Sequence, residues 1–136
     1  MNEAEKLLNE RFGKDSLMAL ATCEGVLPQV RAVNAYYEDG CFYVITHALS
    51  RKMQQIRQNP AVALCGDWFT AHGTGENLGW FDLAENREIA QKLRSAFAAW
   101  IDNGHNHFED HNTIILRIRL TDGVLFSHGT RYELNF

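Results

Sequence analysis

No stretch of this chain approaches the roughly 18 consecutive apolar residues that a membrane-spanning helix needs. The first eight residues mix charges and lack the apolar core of a secretion signal. A cytoplasmic protein with no membrane partner is therefore the expectation. Basic residues are also short: 13 Lys and Arg stand against 17 Asp and Glu, for a net charge of −4. No long basic run occurs, so nucleic acid is not expected as the main partner. There are only 3 cysteines, Cys23, Cys41 and Cys65. Their odd number, their apolar strand-like surroundings and the absence of any Cys-x-x-Cys pair predict reduced core residues, not disulfides or a redox motif. Internal repeats, low-complexity segments and linkers are absent too, which leaves one domain over residues 1–136.

What is present suffices for a core: 46% of the 136 residues are apolar and 11% aromatic, and a chain of this length buries roughly two-thirds of its unfolded surface. Residues 3–12 carry Ala4, Leu7, Leu8 and Phe12 at helical spacing, with Gly13 as a stop. Short apolar runs at 16–23, 27–37 and 41–46 read as strands, joined by the turn pairs Glu24-Gly25 and Asp39-Gly40, in antiparallel meander order. Ser50 is placed to cap a helix through Gln58 that Asn59-Pro60 ends. Strands follow at 61–66 and 68–76, the second with Gly73 and Gly75 as sites for a bulge or close backbone approach. A longer helix is predicted from about Asp82 to Asn103-Gly104, with Ile89, Leu93, Ala96, Phe97 and Trp100 on one face. Residues 113–120 form a further strand, Asp122-Gly123 and His128-Gly129 read as turns, and 132–136 as a last strand. Together these predict a mainly β (α+β) fold: a small antiparallel barrel of six or seven strands with two or three helices.

The chemistry concentrates at residues 46–52, Thr-His-Ala-Leu-Ser-Arg-Lys. Hydroxyls of Thr46 and Ser50 and the cations Arg51 and Lys52 meet at a helix start, where free backbone N–H groups point outward. That donor set suits phosphate oxygens. A capped helix start with solvated cations is the plain alternative, yet cations in a first turn oppose the helix dipole by about 0.3–1 kcal/mol each. Counting back from Asp39-Gly40 in a symmetric register sets Ile45 opposite residues near Asn34 and leaves Arg31 just beyond, near Thr46 and the helix start. Two strands and a helix terminus then converge on one anion-sized spot.

Other polar groups compete for attention. His105, His107 and His111, with Glu109 or Asp110, are the residues that would form a metal site. Their spacing matches no structural zinc pattern, and the Asn/Gly/Asp composition suits a solvated helix-to-strand loop, so no metal is expected. That loop could instead border a ligand cleft as a lid. His47, beside Thr46, is the acid–base candidate, while His72 reads as structural or interfacial. Trp80, Phe81, Phe97 and Trp100 read as core or dimer packing.

Several motifs in order give the chain a family likeness. Arg31-x-Val33, Phe42-x-x-x-Thr46, Ser50-Arg51-Lys52, Gln55-Ile56-x-x-Asn59-Pro60-x-Val62-Ala63-Leu64 and Gly73-x-Gly75-Glu76 resemble the pyridoxamine 5'-phosphate oxidase-like family, the FMN-binding split barrels, over about residues 15–100. The resemblance implies a homodimer with two FMN sites in clefts at the subunit interface. It implies that Arg31, Ser50, Arg51 and Lys52 hold the phosphate. Arg31, Ala32, Val33 and Asn34 would line the isoalloxazine ring, with Ile45 and Thr46 beneath it and Trp68 of the partner subunit as a ring neighbour. The chain departs from the true oxidase: it ends Arg-Tyr-Glu-Leu-Asn-Phe, without an Arg-x-His segment, and lacks an Arg-x-x-x-Ser after the glycine-bearing strand. Vitamin B6 oxidation is therefore not expected. The resemblance implies an FMN-dependent oxidoreductase acting on an unknown small molecule, with NAD(P)H as electron donor. A non-catalytic flavin or haem binding or storage module is the alternative.

Overall fold

Asp39 and Gly40 both take positive φ, 49° and 79°, so the chain reverses in two residues as the Asp-Gly pair predicts. In this computed structural model, which describes residues 2–136, that turn joins β2 (Leu27–Glu38) to β3 (Cys41–His47). β1 (Ser16–Glu24) pairs with β2 along nine residue pairs, from Ser16↔Ala35 to Glu24↔Leu27. On its other side β1 pairs with β4 (Ala61–Gly66), and the sheet continues through β5 (Phe69–Trp80) and β6 (Thr113–Ser127) to β7 (Thr130–Asn135). β3 also pairs with β6, from Cys41↔Arg119 to His47↔Thr113. That ladder closes six antiparallel strands into a barrel and leaves β7 as an extra strand. Three α-helices accompany it among the described residues: α1 (Glu3–Phe12), α2 (Arg51–Gln58) and α3 (Arg87–Ala96). None is long and apolar enough to cross a membrane.

Alternation divides the side chains into two cores. Met18 and Leu20, Val33, Ala35 and Tyr37, Phe42 and Val44, and Ile114, Leu116, Ile118 and Leu120 point into the barrel, where α1 adds Leu8 and Phe12 and α2 adds Met53 and Ile56. Phe12, Phe42 and Phe69 meet there with ring centroids 5.2–5.9 Å apart. A second cluster lies outside: Phe81, Leu93, Phe97 and Ile101 pack on Ile115, Tyr36, Tyr43 and Ile45. Trp80 and Trp100 join it, so the aromatic stripe is core packing.

The structure revises three expected elements. Asp122-Gly123 is no turn, because β6 runs unbroken from Thr113 to Ser127. Its register against β5 shifts between His72 and Gly73, where Thr121 is left over, and a Cβ on Gly123 would stand 2.8 Å from the Thr70 carbonyl. The pair thus serves a bulge and a close strand approach. The predicted helix from Asp82 begins instead as a 3-10 turn, Ala84–Asn86, and α3 ends at Ala96. Beyond it Phe97 and Ile101 turn into the second cluster while the Trp100 indole donates to Asp15 at 2.8 Å, contacts that a straight helix would not deliver together. β5 also runs to Trp80, past the predicted end at Glu76, with a further register shift between Asn77 and Trp80.

At the β5–β6 bulge a Cβ on Gly73 would lie 2.7 Å from the Arg119 carbonyl oxygen. Backbone cannot yield as a side chain can, so Gly73→Ala should lower stability by about 1–3 kcal/mol. Urea unfolding checks this; an unchanged midpoint would refute the close approach.

Candidate functional site

The ladder between β2 and β3 holds only three residue pairs, Glu38↔Cys41, Tyr37↔Phe42 and Tyr36↔Tyr43. Beyond Tyr36 the two strands part. Asn34 pairs with Leu17 on β1, whereas Ile45 pairs with Ile115 on β6. The register counted from the turn holds for the paired residues, but Asn34 and Ile45 are not ladder partners. No ladder joins the two strands at that level. On its other edge β3 stays paired with β6 through His47, so the strand follows β6 where the β2 ladder ends.

α2 begins at this end of the barrel. Ser50 is its N-cap: the hydroxyl accepts the Met53 N–H at 3.4 Å and the carbonyl accepts the Gln54 N–H at 3.0 Å. The N–H groups of Arg51 and Lys52 precede the first intrahelical bond and point out of the helix start. Lys52 folds back, half-buried, and its Nζ donates to Thr46 Oγ1 at 2.7 Å. Arg31 reaches the same region from β2. Its guanidinium donates to Thr22 Oγ1 at 2.8 Å, to Gln55 Oε1 at 3.1 Å and to the Leu20 carbonyl at 3.2 Å. Thr22 in turn donates to Gln55 Oε1 at 2.5 Å, and Thr22 and Gln55 are 1% and 5% exposed.

Among the described residues neither Arg31 nor Lys52 pairs with a carboxylate; every partner is neutral. Burial lowers the pKa of both, and for Lys52 the neighbouring Arg31 charge lowers it further. Two cations are thus held together, partly desolvated and uncompensated, at a helix N-terminus. That arrangement can accept an anion, since negative charge offsets both the mutual repulsion of the cations and their opposition to the helix dipole.

The other predicted site residues spread out. Arg51 turns away from Lys52 and pairs with Glu24 at 3.3 Å, with its side chain 77% exposed. Val33 points into the barrel core. Ala32 and Asn34 face outward, and Asn34 Nδ2 donates to Asp15 Oδ1 at 3.0 Å. Ile45 packs into the second cluster. Trp68 stands far along the sheet at the β4–β5 turn, 75% exposed, with φ of +59°. The histidines do not converge: His111 stacks on Trp80 at 3.9 Å, His107 lies 3.8 Å from Glu109, and the His105 N–H bonds to the Asn103 side chain. No group of three or more potential metal ligands occurs among the described residues. His47 pairs with Asp110 at 3.0 Å, and His72 with Asp122 at 2.9 Å.

The profile of the pyridoxamine 5'-phosphate oxidase family matches residues 4–124. The chain belongs to this family. No curated protein matches it significantly. Among solved structures, General Stress Protein 26 from Bacillus anthracis is similar at 16% identity, covering 98% of this chain and 100% of its own, with a TM-score of 0.72. A FAD-binding protein from Mesorhizobium loti matches at 17% identity over 90% and 92% of the two chains, TM-score 0.69. A heme binding protein from Mycobacterium smegmatis matches at 12% identity over 99% of this chain and 59% of its own, TM-score 0.71. The family fold thus occurs in proteins named for flavin and for heme, and at these identities the likeness is one of fold.

Sequence reading missed Thr22 and the role of Gln55. Both left a trace: Thr22 continues the inward alternation of Met18 and Leu20, and Gln55 sits beside Ile56 on the apolar side of α2. Because its pKa is lowered, Lys52 releases its proton at lower pH in the folded protein than in the unfolded chain. Its charge therefore costs stability at every pH below its folded pKa, and that cost fades as pH rises toward the unfolded value. Lys52→Met should raise the thermal midpoint of the ligand-free protein at neutral pH, with the gain shrinking at alkaline pH. A lower midpoint would show that the Thr46 bond outweighs the desolvated charge.

Proposed function

We propose that this protein is an FMN-binding flavoprotein whose cofactor phosphate sits at the start of α2. The observation that carries the reading is the uncompensated pair Arg31 and Lys52 beside the Ser50 cap. A phosphate monoester carries about −1.5 to −2 charge at pH 7, which suits two cations, a hydroxyl and free N–H groups. Arg51 joins this set by leaving Glu24, a small step because exposed ion pairs contribute about 0–1 kcal/mol. In this reading the flat ring lies where β2 and β3 part, along Arg31 to Asn34, with Ile45 and Thr46 on its other side. When bound, the flavin supplies redox chemistry; the chain's residues hold and orient it and exclude water. We read the protein as an oxidoreductase that takes electrons from NAD(P)H for a small-molecule acceptor.

The working unit in this reading is a homodimer. The outer face of β1, β2, β4, β5 and β6 presents a groove lined by Ala19, Ala21, Val30, Ala63, Cys65 and Val124. Leu17 and Val30 on that face are 70% and 69% exposed, unusual for large apolar side chains on a sheet. A second copy would cover them and bring Trp68 of the partner subunit toward the cofactor. Trp68 keeps a left-handed backbone that costs a bulky residue roughly 1–2 kcal/mol, a strain that a contact across the interface would offset.

Titration with FMN and riboflavin tests the phosphate assignment. Lys52→Ala or Arg31→Ala should weaken FMN by tenfold or more, at the roughly 1.5–3 kcal/mol of a hydrogen bond to a charged group, and leave riboflavin nearly unchanged. Arg51→Ala should lose less. Equal losses for the two flavins would refute a phosphate at α2. Bleaching of the FMN-loaded protein by NADPH, restored by air, is expected of the oxidoreductase; a flavin that stays oxidised would favour storage.

A further inference from the structure

His47 ends β3 one residue past Thr46, and it bonds in three directions. Its backbone carbonyl accepts the N–H of Ser50, the α2 cap, at 3.1 Å. Its ring Nδ1 accepts the Leu49 N–H at 3.3 Å, and Nε2 lies 3.0 Å from Asp110 Oδ2. Only the tautomer with its proton on Nε2 satisfies both ring contacts: Asp110, as a carboxylate, accepts, and Leu49 donates. The imidazole thus braces the turn 47–50 that sets the helix start, and ties it to a residue more than 60 positions later in sequence.

Asp110 is itself held. Its Oδ1 accepts the Asn112 N–H at 2.9 Å, its carbonyl accepts the Thr113 N–H at 2.9 Å, and its own N–H donates to the His107 carbonyl at 3.0 Å. The Asn112 N–H and then His47 keep its carboxyl below the usual carboxylate range. Upstream the loop docks on the second cluster: Trp80 Nε1 donates to the Phe108 carbonyl at 2.6 Å, and His111 stacks on the same indole. Among the described residues, the 102–112 loop meets the turn after β3 through two hydrogen bonds. One is Ala48 N–H to the Asn112 carbonyl, at 2.7 Å; the other is the His47–Asp110 pair.

An exposed histidine–carboxylate pair adds little to global stability. Its effect is local, on the turn that places Ser50 and the first N–H groups of α2. We propose that His47 and Asp110 are positioning residues that couple the phosphate end of the site to the 102–112 loop, so that phosphate affinity and loop order rise and fall together. The inference rests on the FMN reading above and extends it to a regulating element outside the donor set. It gives His47 a part other than proton transfer: the ring is engaged at both nitrogens and serves the frame. Coupling of this kind is reciprocal. Whatever the pair adds to phosphate affinity, bound phosphate returns to the loop.

Both halves can be measured on the intact chain. In wild type, FMN should raise amide-exchange protection across residues 102–112, and riboflavin should not. His47→Ala and Asp110→Ala should each weaken FMN by about tenfold, within the usual range of coupling between sites, while leaving riboflavin unchanged and abolishing the FMN-dependent protection. His47→Gln, which retains an N–H donor, should restore part of both. A purely structural pair would lower affinity for both flavins alike, and that result overturns the coupling. So does FMN binding that keeps its preference over riboflavin in every variant. A wild-type protein indifferent to FMN overturns the flavin reading itself, and this coupling with it.

Discussion

Everything distinctive about this molecule depends on β3 being paired unequally along its two edges. Seven residue pairs join it to β6, and only three join it to β2. The longer ladder closes the barrel, and the shorter one ends at Tyr43, where β3 and β2 part. Backbone groups at the parting must find other partners or face solvent, which makes the gap a natural place for a ligand to run along main chain. The two cores follow from the same event. Side chains inside the ring form the first, and the second is the apolar cover that α3 lays over the outside of β3 and β6.

At one end of that gap the barrel interior turns polar. Thr22 and Gln55 occupy positions that alternation assigns to the core, yet they carry hydrogen-bonding groups that Arg31 satisfies. A buried polar network of this sort is stabilising only when each member is matched. Here the matching leaves a surplus of positive charge, because Arg31 and Lys52 find neutral partners alone. The fold tolerates a destabilising cluster at one spot, a pattern common at functional sites.

Sequence made the meander of β1 to β3, the Asp39-Gly40 hairpin and the start of α2 legible, since each rests on local chemistry: Asp39-Gly40 for the turn, Ser50 for the cap, alternation for the strands. It failed where tertiary contact overrides local preference. Asp122-Gly123 carries the same turn signal as Asp39-Gly40, but β6 is held by β5 on one side and β7 on the other, so the pair stays in the ladder just past the bulge at Thr121. The tail of α3 gives way to aromatic packing and to the Trp100–Asp15 bond. For the site, Arg31, Ser50 and Lys52 were legible through spacing, whereas Thr22 was not, because one hydroxyl in an apolar strand reads as filler until its partner arrives from elsewhere in the chain. Arg51 was placed with the others by adjacency, although successive helix positions point about 100° apart.

That divergence of Arg51 from Lys52 divides two neighbouring charges by timescale. Lys52 and Arg31, half-buried, act at contact distance, where solvent ions screen little; on the proposed reading they govern how long a bound anion stays. Arg51 stands in solvent beside Glu24, where its field falls off over the roughly 8–10 Å Debye length of physiological salt. On that same reading its contribution belongs to capture: it would raise the rate of encounter in dilute buffer and fade as ionic strength grows. If an anion binds as proposed, one dipeptide at a helix start separates arrival from residence.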